Sequence, residues 1–273
     1  NTISDAEIYG WLKKLDKAGE TLSGSLNEEM RFSRQPKDDS SKSAYEAAKT
    51  AGETELDYRQ WQQVRTPEFK AWFGDWENDP DNASKVINPK TGEPLVVYHG
   101  TGSDFTQFNR MAWGSADPRL AGEYAEMRGE WYGGQANVMP VYMSIRRPFD
   151  ADTLDTHSSF EYPDGLSVTR FIDQIIEQSG VNESEQRELR ALEKSIRAAA
   201  REEESGPSYL PEHFWYRPVM YFGEDGARQI RRVFDIAGFD GIRLTEQGAV
   251  TYGAFRPNQI KSATGNSGAF DAK

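Results

Sequence analysis

The stretch Gly92-Glu93-Pro94-Leu95-Val96-Val97-Tyr98-His99-Gly100-Thr101 governs how the rest of the chain is read. Residues 94–99 form a short apolar run rich in β-formers. A turn signal, Asn88-Pro89-Lys90-Thr91-Gly92, precedes it and Gly100 follows it, so the run predicts a strand. A strand that ends at a glycine leaves backbone N–H and C=O groups open to a ligand. His99 stands at that end, and its imidazole can hydrogen-bond a hydroxyl without ionising. A lone histidine at a strand end is more often a structural hydrogen-bonder, and the sequence alone leaves both readings open.

Upstream, Thr66-Pro67-Glu68-Phe69-Lys70 has an N-cap, a proline at the first helical position and an acid in the first turn. Phe69, Trp72 and Phe73 would form the apolar face of this helix. Residues 5–19 also read as a helix, with Ile8, Trp11, Leu12 and Leu15 at helical spacing and Asp5 as cap. Between them, residues 20–57 are polar and short of large apolar groups, which marks a linker with docked or transient helices, one of them near 41–51. The expected division is therefore an N-terminal helical and linker segment, 1–60, and a main domain, 61–273, with the boundary near 58–65.

Downstream, Asp117-Pro118 opens a helix over residues 118–128, and residues 137–145 read as a strand that Arg147-Pro148 ends. A helical insertion is expected at about 168–203. Its second part, 183–201, alternates in charge as a solvated helix would. A helix over 224–237 closes at Gly238, and two strands follow, 241–244 and 250–255. Strands interleaved irregularly with helices predict an α+β fold rather than a doubly wound sheet.

Two aromatic residues frame the helix at 118–128. Trp113 precedes it, in Trp113-Gly114-Ser115, and Tyr124 lies about two turns inside it, on the same side as Leu120. Such a pair can stack on both faces of a flat ring, and a cationic ring gains most. The plainer reading makes both of them core residues. The run Thr251-Tyr252-Gly253-Ala254-Phe255-Arg256-Pro257 reads as a strand that turns at the proline, and Gln259-Ile260-Lys261-Ser262 as a short extended piece after it.

Bulk composition narrows the chemistry. The 273 residues are 37% hydrophobic and 12% aromatic, enough for a real core. With no cysteine, the chain has no disulfide, thiol nucleophile or Cys-based zinc site, which fits cytosolic work. The three histidines, His99, His157 and His213, are scattered, and there is no HExxH, Walker loop, GxGxxG or GxSxG. A net charge of −12 disfavours non-specific nucleic-acid binding. No apolar run is long enough to span a membrane. The start, Asn1-Thr2-Ile3-Ser4-Asp5, has neither an initiator Met nor a signal-peptide pattern, so the chain is expected to be a fragment or a processed product.

Five segments occur in a familiar order: Phe69 to Trp76, Gly92 to Thr101, Asp117 to Ala125, Asn137 to Tyr142 and Asn258 to Asn266. In this order the chain resembles the PolyVal ADP-ribosyltransferases, domains of the diphtheria-toxin and poly(ADP-ribose) polymerase type found in polyvalent proteins of phages and conjugative elements and in some bacterial toxins. The resemblance runs from residue 66 to 271. It implies an α+β ADP-ribosyltransferase fold with split antiparallel sheets around an NAD cleft, carrying here an N-terminal helical segment and a helical insertion. It implies NAD as substrate and no metal. His99 matches the first-strand histidine of the family's His-Tyr-Glu triad, which bonds the ribose on the nicotinamide side. Gly100, with Thr101 after it, matches the glycine whose backbone holds the carboxamide. Trp113 falls where the triad aromatic stands, Tyr124 matches the second stacking aromatic, and Ser115 lies near the nicotinamide end.

The chain departs from the family at the glutamate, which stands just before the aromatic of the last strand. Here that position is Thr251, and threonine carries no charge. The nearest carboxylate is Glu246; Gln259 is the other polar candidate, at a position more often structural. The resemblance implies a mono-ADP-ribosyltransferase that modifies a host macromolecule, protein or nucleic acid, as a phage-delivered or toxin-like effector. The alternative is an inactive NAD-binding or protein-interaction module on the same fold. The expected setting is the host cytoplasm, reached by virion or secretion, with no membrane contact; an immunity or partner protein is a further expected contact.

Overall fold

A computed structural model describes residues 39–102, 108, 111–132, 134–154, 166–202 and 218–264. The helix expected at 5–19, His157, His213 and the last residues of the final similar segment lie outside these. The chain divides into two units, Asn1–Glu53 and Thr54–Lys273. In the first, the described residues, 39–53, hold helix α1 (Asp39–Ala51). The second unit takes in the expected boundary region because Leu56 and Val64 are buried with Phe69, Trp72, Phe73 and Trp76.

Two short helices open the second unit. α2 (Tyr58–Gln63) starts with a capping box: Asp57 accepts from the Gln60 N–H, and Gln60 returns a bond to the Asp57 N–H. α3 (Pro67–Phe73) is capped by Thr66, has Pro67 in its first turn and buries Phe69, Trp72 and Phe73, as its pattern predicts. The Trp72 indole donates to the Asn258 carbonyl at 2.8 Å, which ties α3 to the C-terminal segment.

Then follow β1 (Val97–Thr101), β2 (Ala112–Ser115), α4 (Pro118–Tyr132), β3 (Asn137–Met143), β4 (Pro148–Asp150), α5 (Leu166–Ser179), α6 (Glu183–Glu202), α7 (Pro218–Ala237), β5 (Gly241–Glu246), β6 (Ala249–Ala254) and β7 (Ile260–Ser262). The strands make one sheet in the order β4-β5-β6-β2-β1-β3-β7. Every neighbouring pair is antiparallel except β4 and β5, which are parallel. The sheet is mixed and the fold is α+β. The ladder is thinnest at its centre: β1 meets β2 in register only at Tyr98–Ser115, whereas β1 and β3 pair over five positions. Split antiparallel sheets were expected; the structure has instead one continuous mixed sheet, narrowest between β2 and β1.

The helical insertion is not a solvated appendage. Phe171, Ile172 and Ile175 of α5, and Leu189 and Ile196 of α6, are buried with Phe149, Phe234, Ile242 and Phe255. Helical spacing gathers these few apolar residues on one face of α6 despite its charge. Even Glu193 is buried there, accepting from the Thr169 hydroxyl and pairing with Arg190 at 2.9 Å. A second core, with Val97, Val141, Met143, Tyr252 and Ala254, covers one face of the central strands. No helix among the described residues is long and apolar enough to cross a membrane.

Candidate functional site

The site forms where the ladder parts. Beyond the Tyr98–Ser115 pair, β1 leaves β2, and the His99 side chain reaches across: its Nδ1 lies 2.7 Å from the Trp113 carbonyl oxygen. A carbonyl can only accept, so Nδ1 carries the proton and, in the neutral ring, Nε2 keeps a lone pair. His99 is 7% exposed. Burial holds its pKa below the ordinary histidine value; the Trp113 carbonyl opposes the shift, and the nearby Arg128 charge adds to it. His99 is therefore a neutral acceptor at physiological pH. Phe108 packs edge-on against it, with ring centroids 5.2 Å apart.

Helix α4 forms the next wall. Asp117 caps it, accepting from the Arg119 N–H at 2.8 Å, and the Ser115 hydroxyl accepts from the Asp117 N–H at 3.1 Å. The helix lies directly on β1 because residue 100 is glycine. A Cβ there would sit 2.0 Å from the Ala121 carbonyl oxygen. Leu120, Tyr124 and Arg128 recur every four residues, share one helical face, and all border the cleft.

The third wall is the β5–β6 hairpin. Gln247 and Gly248 both have positive φ, 49° and 81°, the pattern of a tight two-residue turn. The turn leaves Glu246 opposite Ala249 at the hairpin's mouth. There the Tyr124 phenol donates a hydrogen bond to Glu246 Oε1. Thr251 is two pairs further along, opposite Ser115 on β2 and Leu244 on β5. It is 5% exposed, and its hydroxyl oxygen has no hydrogen-bond partner among the described residues.

Tyr98, His99, Gly100, Trp113, Gly114, Ser115, Leu120, Ala121, Tyr124, Arg128, Glu246 and Thr251 thus line one narrow cleft. Of the residues singled out from sequence, the structure brings together His99, Gly100, Trp113, Ser115, Tyr124, Glu246 and Thr251. Trp113 is a strand residue rather than a lead-in to the helix. Its ring lies over Gly253, where a Cβ would come within 2.9 Å of it, and packs on the helical core as well as the cleft. Thr101 ends β1 and does not border the cleft.

Gln259 is outside it. Its amide donates to the Ser144 and Asp240 carbonyls at 3.0 and 2.8 Å, and its oxygen accepts from the Arg256 N–H at 2.8 Å. With both ends of the amide committed to backbone, Gln259 clamps the turn before β7. Arg128 and Tyr98 were missed in the sequence. Arg128 could have been found from its place four residues after Tyr124 on the Leu120 face. The described residues contain no cluster of His, Cys, Asp or Glu that could hold a metal ion.

A family model described as "ADP-Ribosyltransferase in polyvalent proteins" matches residues 89–270, more than half of the chain and every residue that lines the cleft. No curated protein and no solved structure matches the chain.

Proposed function

The chain belongs to the ADP-ribosyltransferases of polyvalent proteins, and from that premise we propose that it transfers a single ADP-ribose from NAD to a host macromolecule, with Glu246 serving as the charge that Thr251 cannot supply. The observation that carries this reading is the meeting of His99, Tyr124 and Glu246 at one cleft, with Tyr124 bonded to Glu246. A carboxylate, a neutral imidazole and two aromatic rings fit the nicotinamide riboside half of NAD.

NAD supplies an ADP-ribosyl group on a good leaving group: the bond from the anomeric carbon to nicotinamide breaks with its electron pair going to nicotinamide, and an acceptor nucleophile, losing its proton, bonds to that carbon. The chain's part is to bind, orient and stabilise charge. His99 Nε2 accepts from a ribose hydroxyl. Trp113 and Tyr124 bracket the pyridinium ring, a gain that its positive charge increases. Glu246 faces the positive charge that grows at the anomeric carbon. Tyr124 is also a positioning residue, because its phenol holds one carboxylate oxygen and leaves the other for the substrate. The Thr251 hydroxyl, buried and without a partner among the described residues, gains a hydrogen bond when a polar substrate group arrives.

One observation favours a second reading. Thr251 stands where the family's glutamate is expected, which suits a domain that binds NAD without transferring it. Radiolabelled NAD incubated with the protein and a host lysate separates the two. Transfer of label from the ADP-ribosyl half to protein or nucleic acid, abolished in His99→Ala, is the expected result. NAD binding without transfer supports the second reading, and neither binding nor transfer rejects both. Protease and nuclease digestion of the product identifies the acceptor class. The setting we propose is the host cytoplasm, after delivery in a virion or by secretion, with an immunity or partner protein to restrain the activity.

A further inference from the structure

We infer that Arg128 is the anchor for the diphosphate of the dinucleotide, so that the cleft is charged at both ends to match the two ends of NAD. The inference rests on reading the cleft as an NAD site and adds a residue and an orientation to it.

Arg128 lines the cleft, is half-buried, and its guanidinium makes no ion pair or hydrogen bond among the described residues. Arg65, Arg119, Arg190, Arg231, Arg232 and Arg243 hold carboxylates, Arg146 and Arg147 donate to backbone carbonyls, and Arg59, which has neither kind of partner among the described residues, is exposed and away from the cleft. Acidic residues outnumber basic ones, 44 to 32, so an arginine in a cleft with no carboxylate partner points to an anion from outside. Glu246 borders the same cleft, yet the two form no salt bridge.

Their separation follows from the elements that carry them. Gly100 packs against Ala121 and Ala125, and Gly102 packs against Arg128 and Gly129, so α4 runs alongside β1 to its end. Tyr124, which holds Glu246, is one turn before Arg128, about 6 Å along the helix axis. Glu246, Ser115 and Thr251 mark the end where β2 enters α4. Arg128 marks the other end, past His99. NAD is polar in the same sense, with a positive pyridinium at one end and a doubly negative diphosphate one ribose away. Only one orientation pairs both charges: pyridinium and anomeric carbon toward Glu246, ribose at His99, diphosphate at Arg128. The reverse sets diphosphate against carboxylate. Because of its charge, Arg128 also discourages protonation of His99.

Calorimetric titration of the full chain tests this with three ligands: NAD, ADP-ribose, which has the diphosphate but no nicotinamide, and nicotinamide riboside, which has the nicotinamide but no phosphate. Arg128→Ala is expected to weaken NAD and ADP-ribose about 10-fold or more, the scale of one charge-assisted contact, and to leave nicotinamide riboside unchanged. Arg128→Lys, which keeps the charge without the fork, is expected to recover part of the loss, and added salt should weaken ADP-ribose binding more in the wild type than in Arg128→Ala. Unchanged ADP-ribose affinity in a folded Arg128→Ala protein overturns the inference, as does an equal loss for nicotinamide riboside. If the wild type binds ADP-ribose through Arg128 but neither NAD nor nicotinamide riboside, the anchor stands and the transferase reading falls. If nicotinamide riboside and NAD bind and Arg128→Ala changes neither, the transferase reading stands and the anchor falls. Binding of none of the three rejects both.

Discussion

The Tyr124 phenol and the Glu246 carboxylate, 122 residues apart in sequence, share a hydrogen bond at the mouth of the cleft. One comes from the helix after β2 and the other from the last pair of the β5–β6 hairpin, so the bond closes the cleft between elements with no local connection. It gives Tyr124 two separable properties, a ring that can stack and a hydroxyl that aims a carboxylate.

Substitutions at Tyr124 resolve these properties. Tyr124→Phe keeps the ring and is expected to lower kcat with little change in NAD affinity. Tyr124→Ala removes both and should also weaken NAD binding by about 1–3 kcal/mol, the combined scale of stacking and cation–π contact. Steady-state kinetics beside calorimetry checks this; a Phe variant that loses affinity but keeps kcat assigns the hydroxyl to binding instead.

Trp113 carries a structural cost that Tyr124 does not. Its ring covers Gly253 and packs against the helical core, so Trp113→Ala is expected to reduce unfolding free energy by about 3 kcal/mol as well as NAD affinity. Denaturant unfolding of the unliganded protein measures the first effect. An unfolding midpoint equal to wild type contradicts the packing described here.

Gly100→Ala tests the seat of α4 on β1. The added methyl would fall 2.0 Å from the Ala121 carbonyl oxygen, which is backbone and has no rotamer to yield. The helix must move, and with it Tyr124 and Arg128. A drop in melting temperature of several degrees, with loss of NAD binding, is expected, because overpacking costs about 1–3 kcal/mol or more. Wild-type stability and binding would show that the helix is not seated this way.

His99 gives the site a pH signature. Its folded-state pKa lies below 6.5, so the unfolded chain takes up the proton first. The stability due to the neutral ring is complete above about 6.5 and is lost as pH falls from there through the lower folded value. Arg128 on α4 is the facing cation; Glu246 and the Tyr124 phenol border the same cleft. NMR titration of the His99 ring should show a midpoint below 6.5 that rises in Arg128→Ala. A wild-type midpoint at or above 6.5 contradicts a buried neutral imidazole.

Local pattern carried much of the fold. β1 was legible because Val96-Val97-Tyr98-His99 is β-rich and bounded by a turn and a glycine, and α3 because Thr66-Pro67-Glu68 is a complete helix start. β2 was not: Ala112-Trp113-Gly114-Ser115 is four residues long, two of them small, and is a strand only because β6 and β1 flank it. β4 was hidden behind Arg147-Pro148, which looks like an end; parallel pairing with β5 starts at that proline. The buried stripe of α6 was masked by its charges. In the site, His99, Trp113 and Tyr124 could be named from placement and family resemblance. Arg128 was passed over, although its place four residues after Tyr124 sets it on the same helical face. Thr251 and Glu246 could be proposed as rivals, but only tertiary structure brings Glu246 to Tyr124 and leaves the Thr251 hydroxyl without a partner among the described residues.

The central claim, that Glu246 does the work expected of a carboxylate at position 251, is tested most directly by nicotinamide release from NAD labelled in the pyridine ring. Wild type, Glu246→Gln and the double variant Glu246→Gln/Thr251→Glu are compared at saturating NAD, with affinity measured in parallel. The account predicts that Glu246→Gln binds NAD nearly as wild type but releases nicotinamide about 100-fold more slowly or worse, and that Thr251→Glu restores part of the rate. Release by Glu246→Gln at the wild-type rate, or rate and affinity lost by the same factor, would contradict it.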